Sequence, residues 1–164
     1  NDGQINEQDL RPYNKSSPDV TLGLNTRLNW KAWDLSIAGH GSFGTYNYNA
    51  IAANHAGLSP TTIYASESLS NRVKSAFDTN FQIAQPLSDY YVQNASFFRI
   101  DNIVLGWSFK NSKRIPFNGR IYGSVQNPFV FTKYKGVDPE VFGGYDGTLY
   151  PRPMTFLLGV NLNF

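Results

Sequence analysis

The run Met154-Thr155-Phe156-Leu157-Leu158-Gly159-Val160-Asn161-Leu162-Asn163-Phe164 alternates without a break. Met154, Phe156, Leu158, Val160, Leu162 and Phe164 fall on one side, and Thr155, Leu157, Gly159, Asn161 and Asn163 on the other. Successive side chains of an extended backbone point to opposite faces, so this period predicts a β-strand with one apolar face. A length of about 11 residues also suits a strand that crosses a bilayer at a tilt. The last strand of a soluble β-sandwich alternates in the same way, so the rest of the chain has to separate the two readings.

Working outward, Val20, Leu22, Leu24, Thr26, Leu28 and Trp30 form a second alternating row. After Lys31 and Ala32, the row Trp33, Leu35, Ile37, Gly39, Gly41 and Phe43 repeats the pattern. Two such runs with so short a link predict a β-hairpin, with Trp30 and Trp33 at its turn. A strand is expected from Ser96 to Phe109, although Phe98 and Ile100 are one residue out of step with Ile103, Leu105 and Trp107. That slip predicts either a β-bulge near Arg99 to Asn102 or a first turn of the strand that packs inward. A fourth strand covers Arg120 to Phe131, with Pro128 marking a change of pairing. The segment from Tyr46 to Asn94 shows no sustained strand period and reads as a long loop, with a short helical turn expected within Ser66 to Phe77.

Composition narrows the class. Of 164 residues, 41% are hydrophobic and 16% charged, with mean hydropathy −0.36. No window approaches the roughly 18 consecutive apolar residues of a membrane helix. A membrane-spanning strand escapes that test, because every second residue is free to be polar. Aromatics reach 15%, with 10 Tyr and 12 Phe, as strands and interfacial girdles favour. The absence of Cys excludes a disulfide scaffold and thiol chemistry. A net charge of +2 gives no argument for nucleic acid.

Placing the C-terminus in the periplasm makes 132–150, 46–94 and 1–18 extracellular, and 110–119 and 31–32 periplasmic. Long connections outside and short ones inside match outer-membrane barrels. The expected fold is therefore all-β: an antiparallel transmembrane β-barrel segment of about five strands with long extracellular loops. That number is odd and too small to close, and Asn1 opens without an initiator Met or signal peptide. Residues 1–164 are thus expected to be the C-terminal segment of a larger barrel.

Several blocks resemble the C-terminal region of SusC/RagA-like TonB-dependent transporters. They include Ser17-Pro18-Asp19-Val20-Thr21-Leu22-Gly23-Leu24, Asn94-Ala95-Ser96-Phe97-Phe98-Arg99-Ile100-Asp101-Asn102-Ile103, Lys133-Tyr134-Lys135-Gly136-Val137-Asp138-Pro139-Glu140 and Tyr150-Pro151-Arg152-Pro153-Met154. Gly159, Leu162 and Phe164 are similar to the C-terminal assembly signal of bacterial outer-membrane barrels. The resemblance implies a barrel of about 22 strands around a plug, in the bacterial outer membrane. It implies import of oligosaccharides or peptides in Bacteroidetes with a SusD-like surface lipoprotein, powered by the TonB complex through parts outside this chain. The expected role is a barrel-wall segment of such an importer. A soluble carbohydrate-binding β-sandwich module is the alternative.

Chemistry is sparse. Asp2-Gly3, five residues and Asp9 match the second half of a calcium loop. A turn capped by Asp is the plain reading, and calcium in the intact parent the sharper one; no other cofactor is expected. His40 and His55 lack neighbouring ligands at metal spacing, and no nucleophile–base set stands out, so no catalysis is expected. Asp138 and Glu140 flank Pro139 in what reads as a turn. Tyr46, Tyr48, Tyr145 and Tyr150 are candidate substrate or lid contacts, with Phe142, Tyr64, Tyr90 and Tyr91 in the same loops; girdle or loop packing is their plain reading.

Overall fold

The computed structural model describes residues 7–9, 11–64, 71–86, 88–111, 117–147 and 150–163, with the side chains of 9, 61 and 62 left aside. The chain divides into two compact units, residues 20–43, 97–132 and 152–164 forming one, and 1–19, 44–96 and 133–151 the other.

The first is an antiparallel sheet of five strands: β1 (Val20–Trp30), β2 (Trp33–Phe43), β5 (Phe97–Phe109), β6 (Asn118–Thr132) and β8 (Thr155–Asn163), side by side in that order. The hairpin stands where alternation put it, with Trp30 opposite Trp33. Lys31 closes it in the left-handed region at φ 53°. Register then carries the apolar phase across the sheet. Leu28, Leu35, Leu105, Gly123 and Leu158 are successive partners, and so are Trp30, Trp33, Trp107, Ile121 and Val160. This face is open: Leu28 is 60% exposed and Leu158 90%.

The opposite face is polar and tied by charge. Arg120 donates from Nε (2.9 Å) and Nη2 (2.6 Å) to the two carboxylate oxygens of buried Asp34. Arg27 lies 3.8 Å away. The pair reaches from β2 to β6 across β5, at Gly106, where a Cβ would run into both side chains. The expected bulge is present. Register shifts between Ala38 and Gly39 on β2 and between Ile100 and Asn102 on β5, leaving Asp101 out of the ladder. Its carboxylate accepts from His40 Nδ1 at 2.8 Å. On β6 the same irregularity holds Asn127 at φ 51°, next to Pro128.

The second unit is built on a small mixed sheet. β3 (Tyr46–Asn49) pairs antiparallel with β4 (Val92–Asn94) and parallel with β7 (Tyr145–Asp146). β3 runs straight into helix α1 (Ala50–Asn54), whose N-cap Asn49 accepts from the Ala52 N–H at 2.9 Å. Ala52, Ala53 and Ala56 pack with Tyr91, and Tyr48 and Val73 lie against them. Two further helical turns follow, α2 (Pro60–Ile63) and α3 (Ala76–Thr79); Pro60 starts the former and left-handed Asn80 ends the latter. Among the described residues, 46–94 thus holds two strands, three short α-helices and a 3-10 turn at Asp89–Tyr91, rather than the long loop with one helical turn expected. The helical turn expected within Ser66 to Phe77 begins only at Ala76, and 65–70 fall outside the described residues.

The expected antiparallel transmembrane β-barrel segment is overturned. The described residues form two open sheets, one antiparallel and one mixed. β1 and β8 each keep one side unpaired among the described residues, so nothing closes the larger sheet. The smaller sheet includes a parallel pairing, whereas a barrel wall is antiparallel and closed throughout. Alternation had revealed which faces are apolar; it does not reveal whether edges close. No described helix is long and apolar enough to cross a membrane, which says nothing of strands.

Candidate functional site

The mixed sheet gathers aromatic side chains from segments far apart in sequence. Tyr48 on β3 and Tyr145 on β7 stack with centroids 5.8 Å apart and planes 20° apart. Their strands are parallel partners, which sets the two rings side by side. Tyr91 meets Tyr48 edge-on at 6.4 Å, and Tyr90 meets Tyr91 edge-on at 5.3 Å. These offsets let the positive ring edge face the negative ring face. Tyr90 is 48% exposed and Tyr145 60%, while Tyr91 is buried. The Tyr48 hydroxyl donates to the Pro86 carbonyl. Burial pushes the Tyr48 and Tyr91 phenols above their ordinary range, helped by the neighbouring tyrosines.

A cavity of about 720 Å³ opens within this unit. Tyr90, Tyr91, Gln93, Lys74, Lys133 and Lys135 are among its lining residues. The Tyr91 hydroxyl is buried and has no hydrogen-bond partner among the described residues. A pocket of this size, lined by polar and charged side chains beside apolar ones, can take a small ligand.

Beside it, Asp146 is fully buried. Its Oδ2 accepts from the Tyr134 hydroxyl at 2.8 Å and from the Val137 N–H at 3.1 Å. Burial and the bonded carboxylate push the Tyr134 phenol far above its usual range. A Cβ on Gly136 would collide with both side chains, so the turn needs glycine there. Asn47, also buried, donates to the Pro139 carbonyl at 2.8 Å. The Glu140 N–H donates to Asp138 Oδ1 at 2.9 Å, the local turn expected at Pro139. Together these bonds fasten 133–146 to β3.

The sequence candidates fare unevenly. Tyr46, Tyr48 and Tyr145 share the mixed sheet, and the last two touch. Tyr150 is 87% exposed and joins no ring contact among the described residues. Asp2 lies outside the described residues, and Asp9 sits in a single 3-10 turn whose side chain is left aside. No cluster of three metal-ligating side chains occurs among the described residues. Gly159 lies opposite Tyr122, and a Cβ there would enter that ring; Leu162 pairs with Gly119, and Phe164 lies outside the described residues. Asp146, Tyr134, Lys74 and Gln93 were missed. Only Tyr134 carried a signal, standing in the block from Lys133 to Glu140.

No family model matches the chain. It is 40% identical over 167 residues to TonB-dependent receptor SusC of Bacteroides thetaiotaomicron, covering 99% of this chain and 17% of that protein. TonB-dependent receptor P3 of Formosa agariphila is 27% identical over 185 residues, covering 99% and 18%. Among solved structures, the RagAB peptide transporter matches 91% of this chain and 17% of its own, with TM-score 0.70 and 22% identity. The RagAB peptide importer in its open-open state gives 0.72 and 21%, covering 98% of this chain and 19% of its own. The structural likeness shows the fold alone.

This chain therefore spans under a fifth of the relatives it matches. The relationship is a partial homology to SusC/RagA-type TonB-dependent transporters, which are non-catalytic, and it locates the chain at the bacterial outer membrane. The expected barrel-wall role in an importer is corrected with the fold: open sheets and partial homology point to a β-sheet domain related to these transporters.

Proposed function

We propose that this chain is a saccharide-binding β-sheet module of a TonB-dependent outer-membrane transport protein. The observation that carries this reading is the tyrosine cluster, two of whose rings line the cavity. The apolar C–H face of a pyranose stacks on an exposed tyrosine ring, and its hydroxyls take amide and ammonium donors. Tyr90 supplies such a ring, beside Asn49, Gln93 and Lys135. Loops held on a rigid sheet are where binding residues gather.

The module works without catalysis: it holds ligand for transport. The order of its motifs supports a place in the C-terminal part of a SusC/RagA-like protein, working with a SusD-like surface lipoprotein. Energy coupling through TonB then belongs to other portions of that protein.

Titration calorimetry of the detergent-purified protein against a panel of oligosaccharides and peptides tests the reading. At least one saccharide should bind saturably, and Tyr90→Ala should weaken it about 2–10-fold. Binding of peptides alone would sink the proposal.

A further inference from the structure

The lining of the cavity has a one-sided hydrogen-bonding character. Asn49 Oδ1 accepts from the Ala52 N–H at 2.9 Å, Gln93 Oε1 from the Lys135 N–H at 3.3 Å, and Asn94 Oδ1 from the Ser96 N–H at 2.9 Å. All three amides line the cavity. Backbone takes one of the two acceptor positions on each of these oxygens, and each NH2 group keeps its donors for a ligand. Lys74, Lys133 and Lys135 add ammonium groups, which only donate. Asp78 is the one acidic side chain among the described lining residues. The buried Tyr91 hydroxyl, without a partner among the described residues, offers one more donor.

A donor-rich, cationic lining selects for acceptors and negative charge. A peptide backbone brings an N–H for nearly every C=O, whereas ammonium and amide donors outnumber the acceptors that Asp78 and the Ser75, Tyr90 and Tyr91 hydroxyls add to the lining. A sugar hydroxyl can turn to accept, and a ring carboxylate accepts at both oxygens. The exposed Tyr90 ring gives the sugar a stacking surface. We infer that the cavity takes a carboxylate-bearing saccharide of the uronic-acid type, held by Lys74, Lys133 and Lys135 around its charge and by the amides of Asn49, Gln93 and Asn94 around its hydroxyls. This rests on the saccharide-binding reading and specifies its ligand.

The experiment compares three probes on the detergent-purified protein: an oligogalacturonate, the same chain fully methyl-esterified, and an oligoglutamate peptide. The free acid should bind about 10-fold more tightly than the ester, because the three exposed lysines each contribute modestly to one anion. That advantage should shrink as salt rises from 0.05 to about 0.5 M, with screening. In the variant Lys133→Gln/Lys135→Gln the acid and ester should bind within about 2-fold of each other, with an unchanged melting curve as the check on folding. Lys74→Gln alone should give a partial loss and covers the case in which the double variant melts early. Equal binding of acid and ester by the native protein would overturn the inference while leaving the saccharide reading intact. Binding of oligoglutamate with neither sugar would remove both.

Discussion

Tyr134 and Asp146 show how a buried pair can set the shape of a binding loop. The carboxylate is out of water and relies on the Tyr134 hydroxyl and the Val137 N–H. Tyr134→Phe removes one of these donors and should cost about 1–3 kcal/mol, read as a lower melting temperature. Because the folded-state pKa of Tyr134 is raised above the unfolded value, its protonated form is favoured by folding. That contribution is complete below the unfolded pKa of about 10 and is lost as pH rises beyond it. Thermal stability should therefore fall in alkaline solution. The fall should be shallower in Tyr134→Phe and persist in part, since Tyr48 and Tyr91 are shifted the same way. An unchanged alkaline slope would remove Tyr134 from the account. Arg120→Ala, on the other sheet, leaves Asp34 buried without its main donor and should cost about 1.5–3 kcal/mol.

At the scale of elements, the bulge gives a paired test. A Cβ on Gly39 would lie 2.6 Å from the Arg99 carbonyl oxygen, which is backbone and cannot swing aside. A Cβ on Gly23 meets nothing within 4 Å. Gly39→Ala should lower stability by about 1–3 kcal/mol, and Gly23→Ala should change it by under about 0.5 kcal/mol. Equal melting shifts would mean that the register slip is not fixed by this close approach. The same elements show what sequence can and cannot convey. β1 and β2 were legible because their side chains keep one phase for eleven residues each, and the bulge because Phe98 and Ile100 break that phase. The mixed sheet was not legible: its strands run four, three and two residues. No period can be read in so few positions, and the parallel pairing of Tyr48 with Tyr145 joins segments on either side of the two long strands β5 and β6.

Across the whole molecule, one unit carries periodic strands and the other carries the candidate site. The tyrosines were visible as candidates because aromatic residues cluster in polar segments. Which of them meet was settled only by tertiary pairing, which brought in Tyr90 and Tyr91 and left Tyr150 outside. The buried acid Asp146 was hidden for a related reason. In the run Gly143-Gly144-Tyr145-Asp146-Gly147 it has the sequence character of a solvated turn, and only the packing of 133–146 buries it. The barrel-segment reading failed because alternation reports faces, while a place in a barrel wall depends on what pairs with β1 and β8.

The account's central claim is that the cavity beside Tyr90 and Tyr91 holds a saccharide. The most direct measurement is a crystal structure of the purified protein with an oligosaccharide at a saturating concentration set by calorimetry. Density for a sugar ring is expected against Tyr90, with its polar groups toward Gln93 and Lys135. A saturated protein whose sugar lies elsewhere, with this cavity holding only solvent, would contradict it.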